Sequence, residues 1–473
     1  MRIAARLRMQ SIPVFTVSTT PTTRIVLAGA IGNIVEWYDF GLYGLLAPAL
    51  ASLFFPSHDR FAALLGVYGG FAVGFAVRPL GAIVLGRIGD RQGRQFVLVL
   101  SVVLMGAATV AIGVLPSYRA IGIWAPVLLI VIRLFQGFSV GGEFVGSVTY
   151  LVESAAMNRR GIAGSVANVG ATIGMLLAAG AAALAASHAY VEWLWRVPFF
   201  FGGALAFAGY LLRRHMPKDG AEEFAANKIL AAAPSATHSQ LAGRPNPGGF
   251  KAGLTDRWPA LDAFRRAPRT MVVALVFTCG YGVSNYLIMV FLPTFAHEFA
   301  HIGVDAALQI NTAGQAVALF IAPLAGWATD RWLRRRTLLA LAFAAQAALA
   351  WECFRWTASA GLAGLWAAQL LLAALLAAVM GAAPAMLAEQ FPRGFRVSGH
   401  AFVLNTGVGI AGGTAPMVAV ALIRATSAAM APAAYLAGAC VASAAAALLL
   451  ADRSRDPMEG DASVAVEAPS AID

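Results

Sequence analysis

Twelve stretches of about 20 or more mainly apolar residues recur along this chain of 473 residues, and they restrict its fold more than any other feature. A helix of that length spans the hydrocarbon core of a bilayer. Hydrophobic residues make up 59% of the chain and charged residues only 12%, too few polar side chains to cover one water-soluble core. A soluble enzyme, a disordered protein and a secreted disulfide scaffold are therefore excluded for the whole chain. The predicted spans are 25–50, 61–86, 95–115, 122–150, 161–187, 192–212, 270–294, 304–329, 337–357, 362–388, 397–424 and 431–451.

Lys and Arg residues lie mostly on one side of the predicted membrane. If the N-terminus is cytoplasmic, 27 of the 34 basic residues fall on the cytoplasmic side, as the positive-inside rule requires. We therefore expect a multi-pass protein of the bacterial inner membrane with both termini in the cytoplasm, and the net charge of +11 needs no nucleic-acid partner. An organelle presequence in residues 1–23, which contain Arg, Ser and Thr but no acid, is the alternative reading of the tail.

A polar segment, 213–269, divides the spans into two sets of six. It contains six prolines and too few apolar residues for a core, which indicates a linker. A short helix is expected in it at Asp262–Arg266. The predicted organisation is a basic cytoplasmic tail 1–23, a six-helix half 24–212, a cytoplasmic linker 213–269, a second six-helix half 270–451 and an acidic cytoplasmic tail 452–473.

Matched charged positions in the two halves indicate an internal duplication. The offset is 240 residues for the first two pairs and 236 for the other two. The pairs are Asp90 with Asp330, Arg91 with Arg331, Glu153 with Glu389, and Arg160 with Arg396. Two six-helix halves are typical of secondary transporters, whose substrate site lies between the halves near the membrane midplane. The predicted fold is an all-α membrane protein with twelve transmembrane helices in two six-helix pseudo-repeats.

Several longer motifs are specific in combination. They are Gly86-xxx-Asp90-Arg91-x-Gly93-Arg94 with a weaker copy at 326–334, Asn33-Ile-Val-Glu36-Trp37-Tyr38-Asp39-Phe40, Arg78-Pro79-Leu80-Gly81, the string from Arg133 to Glu143, and Arg396-x-Ser398-Gly399 followed by Asn405 and Gly412-Gly413-Thr414-Ala415-Pro416. Together they resemble the metabolite:proton symporter family of the major facilitator superfamily, which includes carriers for citrate, 2-oxoglutarate, shikimate and proline/betaine. The resemblance implies a carrier driven by the proton gradient. Two positions depart from the family pattern: Leu404, where a tyrosine is frequent, and Leu333, where the loop motif has glycine.

Ionisable residues inside a membrane are costly and are therefore functional candidates. Glu36 and Asp39 lie three residues apart on one face of the first span, and Arg133 is expected at a similar depth in the fourth. A carboxylate beside an arginine stays ionised and takes up a proton when that partner is lost. We predict that Glu36, Asp39 and Arg133 couple transport to the proton. Simple pairing of charges between helices is the alternative, and it applies equally to Glu143.

A carboxylated substrate needs a cation in its cavity, and the planar guanidinium of arginine binds carboxylates in a bidentate way. The second half has no charge deep in a span, so its neutral polar groups are expected to orient the substrate or to pack between helices. None of the seven His residues lies deep in a span, which argues against a histidine proton relay. The predicted substrate-binding residues are Arg78, Arg133, Tyr43, Gln136, Tyr281 and Asn285.

The charged motifs at the ends of the spans are, by resemblance, a cytoplasmic gate that pins the two halves together. Its predicted members are Gly86, Asp90, Arg91, Gly93, Arg94, Glu153, Asp330, Arg331, Glu389 and Arg396.

The predicted function is proton-coupled symport, in the direction of uptake, of a small carboxylated metabolite by alternating access, with no enzymatic activity. The expected partners are this substrate and the lipid bilayer, the chain is expected to be monomeric, and no metal or cofactor is expected besides the proton as coupling ion. A drug or metabolite:proton antiporter of the same fold is one alternative, although the antiporter pattern Gly-x-x-x-Gly-Pro has Met175 in place of its proline here. A non-transporting membrane receptor is the other.

Overall fold

The computed structural model describes residues 23–92, 94–139, 143–187, 193–214, 259–392, 396–456 and 458. Within these ranges the chain forms helices and no strand. The longer helical segments group into twelve units, α1–α12, and each unit overlaps one predicted span. In the first half these are α1 (Thr23–Leu45, Ala47–Phe54), α2 (Arg60–Ala76, Arg78–Gln92), α3 (Arg94–Val114), α4 (Trp124–Ser139, Glu143–Ser154), α5 (Arg160–Ser187) and α6 (Val197–Arg213). In the second half they are α7 (Pro268–Tyr286, Leu287–Phe291, Leu292–Ala300), α8 (Val304–Arg331), α9 (Arg335–Ser359), α10 (Gly361–Gln390), α11 (Arg396–Leu404, Asn405–Gly412, Gly413–Thr426) and α12 (Ala431–Leu449).

Ten of the units, α2, α3 and α5–α12, contain a described helix that is long and apolar enough to cross a membrane. The other two contain the buried charges. The side chains of residues 23–30 of α1 lie outside the described residues, and the apolar segment of α4, Trp124–Ser139, has only 16 residues. Both units pack against several other helices of their half. The prediction of an all-α membrane protein with twelve spanning helices is therefore confirmed.

Several helices continue past the predicted spans, because their last turns are polar and lie beyond the apolar stretch. α2 runs to Gln92, so Asp90 and Arg91, which were predicted in a loop, lie in its last turn, and Arg94 begins α3. The predicted linker helix is longer than expected, Pro259–Arg266, and the ring of its Phe264 packs edge-on against Phe402 of α11. The rest of the predicted linker, 215–258, and the tails 1–22 and 459–473 lie outside the described residues.

Glycines allow two pairs of helices to approach until their backbones touch. Between α2 and α4, a Cβ on Gly137 would lie 1.8 Å from the carbonyl oxygen of Gly74. Between the halves, a Cβ on Gly161 of α5 would lie 2.3 Å from the carbonyl oxygen of Gly326 of α8. The first contact brings α4, which carries Arg133, against α2. The second forms part of the seam between the halves, which also includes α5 with α10 and α2 with α11.

The chain termini distinguish the two ends of the bundle. The end at which the chain enters α1 and leaves α12 is the terminal end, and the opposite one is the far end. α7 and α11 each contain a wider π-helical turn, at Leu287–Phe291 and Asn405–Gly412, about halfway between these ends. Such turns interrupt the regular helix ladder and are frequent at functional sites.

Candidate functional site

Asp39 is at the centre of a buried polar cluster inside the first half. The residue is 1% exposed, and its Oδ1 accepts hydrogen bonds from Thr109 Oγ1 at 2.6 Å and Gln136 Nε2 at 2.7 Å. Arg133 Nη1 lies 3.3 Å from Asp39 Oδ2 and donates to Gln136 Oε1 at 2.7 Å. α1, α3 and α4 thus each contribute a side chain to one closed network, as the matched depths of Asp39 and Arg133 predicted.

Arg133 is fully buried and is held by aromatic rings as well as by the carboxylate. Its guanidinium carbon lies 4.2 Å from the ring centroid of Tyr43 and 5.1 Å from that of Phe40. A cation over an aromatic face is stabilised by the ring quadrupole. Its Nε and Nη2 atoms have no hydrogen-bond partner among the described residues. The guanidinium therefore retains unused donors while its charge is compensated by Asp39.

Glu36 and Arg78 form a second buried pair between α1 and α2. Arg78 Nη2 lies 3.4 Å from Glu36 Oε1, and the two residues are 7% and 4% exposed. The guanidinium carbon lies 4.2 Å from the ring centroid of Phe40 and 4.3 Å from that of Phe75. Glu36 is therefore the partner of Arg78, and the two acids of α1 belong to separate ion pairs.

A central cavity of about 40 Å³ lies between the two halves. Its wall carries aromatic, amide, hydroxyl and thioether groups and no charged side chain. The lining residues are Trp37, Asn168, Ala171, Thr172, Met175, Tyr281, Asn285, Gln315, Met380, Leu404 and Val408. They come from α1 and α5 in the first half and from α7, α8, α10 and α11 in the second. The cavity therefore lies where the architecture predicts the substrate site.

The second half contains a neutral counterpart of the Asp39 cluster. In the first half, Gly74 of α2 packs against Arg133; in the second half, Gly314 packs against Gln369. Gly314 follows Gly74 by 240 residues, and Gln369 follows Arg133 by 236 residues. Gln369 Nε2 donates to Asn311 Oδ1 at 3.0 Å, and Ser284 Oγ is hydrogen-bonded to Gln346 Oε1. The offsets equal those of the sequence repeats, so an amide stands in the second half where the first has its guanidinium. Among the described residues the charged midplane network is thus confined to the first half.

The terminal end is closed between the halves by a carboxylate that caps a helix. The Asp330 carboxylate at the end of α8 accepts hydrogen bonds from the backbone N–H groups of Gly161 and Ile162 at 2.7 and 2.9 Å, which are free at the start of α5. The fully buried Arg335 forms ion pairs with Asp330, at 2.9 Å, and with Glu389. The terminal end is therefore shut by a carboxylate of one half on a helix N-terminus of the other.

An ion pair crosses the same seam between α4 and α11. Arg396 is paired with Glu153, and its Nε donates to the carbonyl oxygen of Phe391 at 2.9 Å. With the Asp330 contact, it forms a network of carboxylates and guanidinium groups that must break before the halves separate at this end.

The far end is closed as well. Arg60 at the start of α2 forms a bidentate pair with Glu298 at the end of α7, at 2.7 and 2.6 Å. Arg424 of α11 lies 2.8 Å from Asp59, and Tyr68 Oη is 2.9 Å from Thr294 Oγ1. Because both ends are shut around the central cavity, the conformation is occluded.

The structure separates the six predicted substrate-binding residues. Tyr281 and Asn285 line the cavity, whereas Arg133, Gln136 and Tyr43 lie in or against the Asp39 cluster. Arg78 is in its own pair with Glu36. Of the predicted gate residues, those in the ion-pair network at the terminal end are Asp330, Glu153, Glu389 and Arg396, whereas Arg331 is exposed. Arg335, which was not predicted, lies between Asp330 and Glu389. The side chains of Gly86, Asp90, Arg91, Arg94 and Glu143, and Gly93 as a whole, lie outside the described residues.

Sequence reasoning missed several residues of the site. Thr109 and Arg335 complete the two networks, and Asn168 lines the cavity beside Gln315, which is one of the neutral polar groups expected in the second half. Asn168 could have been found from the sequence, because Asn168, Thr172 and Met175 are spaced so that they lie on one face of α5. Buried charges also occur in the second half, at its terminal end. His400 is 1% exposed, one turn from the start of α11, again at the terminal end.

Comparisons with known proteins agree with this architecture. A family model described as sugar (and other) transporter matches residues 25–449. The proline/betaine transporter of Salmonella typhimurium is 32% identical over 87% of this chain and 80% of its own length. The shikimate transporter of Escherichia coli is 30% identical over 93% and 97%, and the citrate-proton symporter of Klebsiella pneumoniae is 32% identical over 88% and 89%.

Solved structures support the same fold. The crystal structure of a D-xylose-proton symporter superposes with a TM-score of 0.70 at 16% identity, covering 92% of this chain and 99% of that one. The partially occluded, inward-open xylose transporter of Escherichia coli gives 0.65 at 17% identity, over 92% and 99%. The resemblance read from the motifs is confirmed, and it makes the protein a membrane transporter rather than an enzyme. The chain belongs to the sugar (and other) transporter family of the major facilitator superfamily.

Proposed function

We propose that the protein is a proton-coupled symporter that takes up a small carboxylated metabolite by alternating access. The observation that carries this proposal is the fully buried ion pair between Asp39 and Arg133. An ionisable pair at membrane depth is expensive and is retained where a proton or an ion must move. The relatives named as a citrate-proton symporter and a shikimate transporter support a carboxylated substrate.

Arg78 is the residue that we assign to the substrate carboxylate. Its contact with Glu36, at 3.4 Å, is longer than a strong charge-assisted hydrogen bond, and its Nε and Nη2 have no hydrogen-bond partner among the described residues. It is also 7% exposed, whereas Arg133 is fully buried. Tyr281 and Asn285 on the cavity wall supply neutral groups that orient the rest of the substrate.

Arg133 is assigned to the proton, together with Asp39 and with Gln136 and Tyr43, which hold the guanidinium in place. While Arg133 faces Asp39, the carboxylate stays ionised; when the conformational change that follows substrate binding at Arg78 separates the guanidinium of Arg133 from Asp39, protonation of Asp39 becomes favourable. Glu36 supports this exchange by releasing Arg78 to the substrate. We propose the proton as the coupling ion, with no cofactor, and a monomer as the transporting unit.

Uptake into vesicles tests the function. Vesicles containing the protein are given an inward proton gradient and a panel of labelled carboxylates: citrate, 2-oxoglutarate, shikimate, proline and betaine. We expect one of them to accumulate above its external concentration, and a protonophore to abolish the accumulation. Release of a preloaded compound on imposing the gradient would instead identify an antiporter, and no movement of any compound in either direction would contradict transport of this class.

We also propose that the terminal end faces the cytoplasm of a bacterial cell, with the linker 213–269 and both tails on that side. The excess of Lys and Arg in the segments at this end supports the orientation. A cysteine that replaces Ser235 in the linker should not react with a membrane-impermeant thiol reagent added to intact cells, and should react after the cells are broken. A cysteine that replaces Ser57, which joins α1 to α2 at the far end, is the matched control and should react in intact cells. Reaction of the linker cysteine in intact cells contradicts the orientation.

A further inference from the structure

The chain crosses the terminal end after α12 instead of leaving the bundle. Residues 451–456 and Met458 are called the C-terminal strap here. Three contacts hold its first part on the second half. Gln390 Nε2 donates to the carbonyl oxygen of Ala451 at 2.7 Å, the backbone N–H of Arg336 donates to Asp452 Oδ2 at 3.2 Å, and Arg453 Nη1 lies 3.5 Å from the carbonyl oxygen of Glu389.

Asp452 is the charged anchor of the C-terminal strap. Partial burial raises the pKa of its carboxyl, but hydrogen bonds from the Oγ and N–H of Ser454 and from the N–H of Arg336 outweigh that effect and hold the pKa below its usual range. The carboxylate is therefore ionised at neutral pH, and the start of the strap is fixed against α9.

The rest of the C-terminal strap reaches the first half. Arg160, 1% exposed at the start of α5, donates from Nη1 to the carbonyl oxygen of Asp456 at 2.9 Å. Met458 is 8% exposed and packs in a small apolar cluster that is separate from the main core. The cluster consists of Val148 and Val152 from α4, Ala167 from α5, and Ala385 and Ala388 from α10. The methionine is thus inserted where the two halves meet.

This seam must open whenever the central cavity opens toward the terminal end. Contacts between the helices already close this seam: the ion pair of Glu153 with Arg396 and the contact of Asp330 with α5. The C-terminal strap lies over the same seam, is anchored on the second half and is inserted between α4, α5 and α10. It therefore has to leave the first half before the halves can separate there.

We propose that the C-terminal strap is an intramolecular latch, whose docking site is the apolar cluster around Met458 together with Arg160, and that it favours the conformations in which the terminal end is shut. The latch depends on the opening of the terminal end and not on the substrate or on proton coupling. Burial of one methionine side chain biases such an equilibrium roughly tenfold to a hundredfold. A two-state element of this kind sets how often the cavity reaches that side of the membrane.

The full chain carrying Met458→Asp tests the latch. A charged side chain is not stable in the apolar cluster, so the strap should undock; Met458→Leu keeps an apolar side chain of similar size and is the control. The reporter is a cysteine in place of Ala171 on the cavity wall, with the signal of the three native cysteines subtracted. We expect an impermeant thiol reagent applied from the side of the terminal end to label Met458→Asp on the order of tenfold faster than Met458→Leu. Labelling from the side of the far end should not rise. Equal rates in the two variants would overturn the latch.

A cross-link keeps the proposal testable if the charged variant does not fold. Cysteines in place of Met458 and Val152 tie the C-terminal strap to α4 when they are oxidised. Oxidation should stop net uptake, and reduction should restore it. A control with cysteines in place of Met458 and Ala388 ties the strap only to α10, so that uptake should continue. Unimpaired uptake with the Met458–Val152 cross-link formed would show that the strap does not have to leave the first half.

Discussion

The Asp39→Asn variant is expected to lose all accumulation of substrate against a gradient while it still exchanges substrate across the membrane at equal concentrations. Asparagine is neutral and keeps an oxygen that accepts the hydrogen bonds of Thr109 and Gln136, so it imitates the protonated state permanently. A carrier that cannot release its proton cannot use the proton gradient, although it still moves between its two open states. The measurement is uptake driven by a pH gradient, compared with counterflow in the same vesicles.

The cost of this variant in stability has to be measured beside its transport. Removing one partner of a buried ion pair costs about 3–5 kcal/mol, since Arg133 then lacks a counter-charge. Thr109→Val is the matched control, because it removes the 2.6 Å hydrogen bond to Asp39 but leaves the charge pair. We expect this control to accumulate substrate with a shifted pH dependence.

Glu36→Gln separates the two acids of α1. Glu36 pairs with Arg78 and not with Arg133, so this variant should change substrate affinity while it remains driven by the proton gradient. If Asp39→Asn accumulates substrate and Glu36→Gln does not, the proton site is Glu36. Normal accumulation by both variants means that neither acid carries the proton.

The sequence was sufficient for the fold and for the identity of the buried charges near the midplane of the first half. Apolar length gives the twelve helices, because the bilayer imposes one helix length on every span. Charges inside a span are rare enough that Asp39 and Arg133 stand out without any structural information. Their pairing also followed, since both lie at a similar depth in neighbouring helices.

The partner of Glu36 could not be predicted from the sequence in the same way. Glu36 and Asp39 share a helix face by spacing, yet Glu36 pairs with Arg78 and Asp39 pairs with Arg133. The close contact of α2 with α4 at Gly74 and Gly137 sets the position of each guanidinium, and hence which acid it contacts. The lining of the cavity depends likewise on how six helices from two halves meet. A neutral residue such as Gln315 carries no signal in hydropathy that separates a cavity wall from helix packing.

The Arg78→Ala variant is expected to lose most of its uptake at substrate concentrations near the Kd of the unmodified protein. A charge-assisted hydrogen bond contributes about 1.5–3 kcal/mol, so its loss weakens binding on the order of tenfold to a hundredfold. The variant also leaves Glu36 buried without its cation, which repels a substrate carboxylate from the same place. Both effects act on substrate binding, so exchange at equal concentrations should fail together with accumulation, in contrast to Asp39→Asn.

Two further variants distinguish a substrate cation from a structural one. Arg78→Lys keeps the charge but lacks the planar fork, so it should recover only part of the affinity. The double variant Arg78→Ala with Glu36→Gln removes both buried charges, so it should fold at least as well as Arg78→Ala and still fail to bind. Arg133→Ala should also stop uptake, because it leaves Asp39 without its counter-charge. The double variant Arg133→Ala with Asp39→Asn should therefore restore exchange. The double variant Arg78→Ala with Asp39→Asn should not, because it still lacks the substrate cation. Unchanged affinity in Arg78→Ala removes this residue from the substrate site, because a carboxylate that has lost a guanidinium partner inside the membrane cannot be bound equally well.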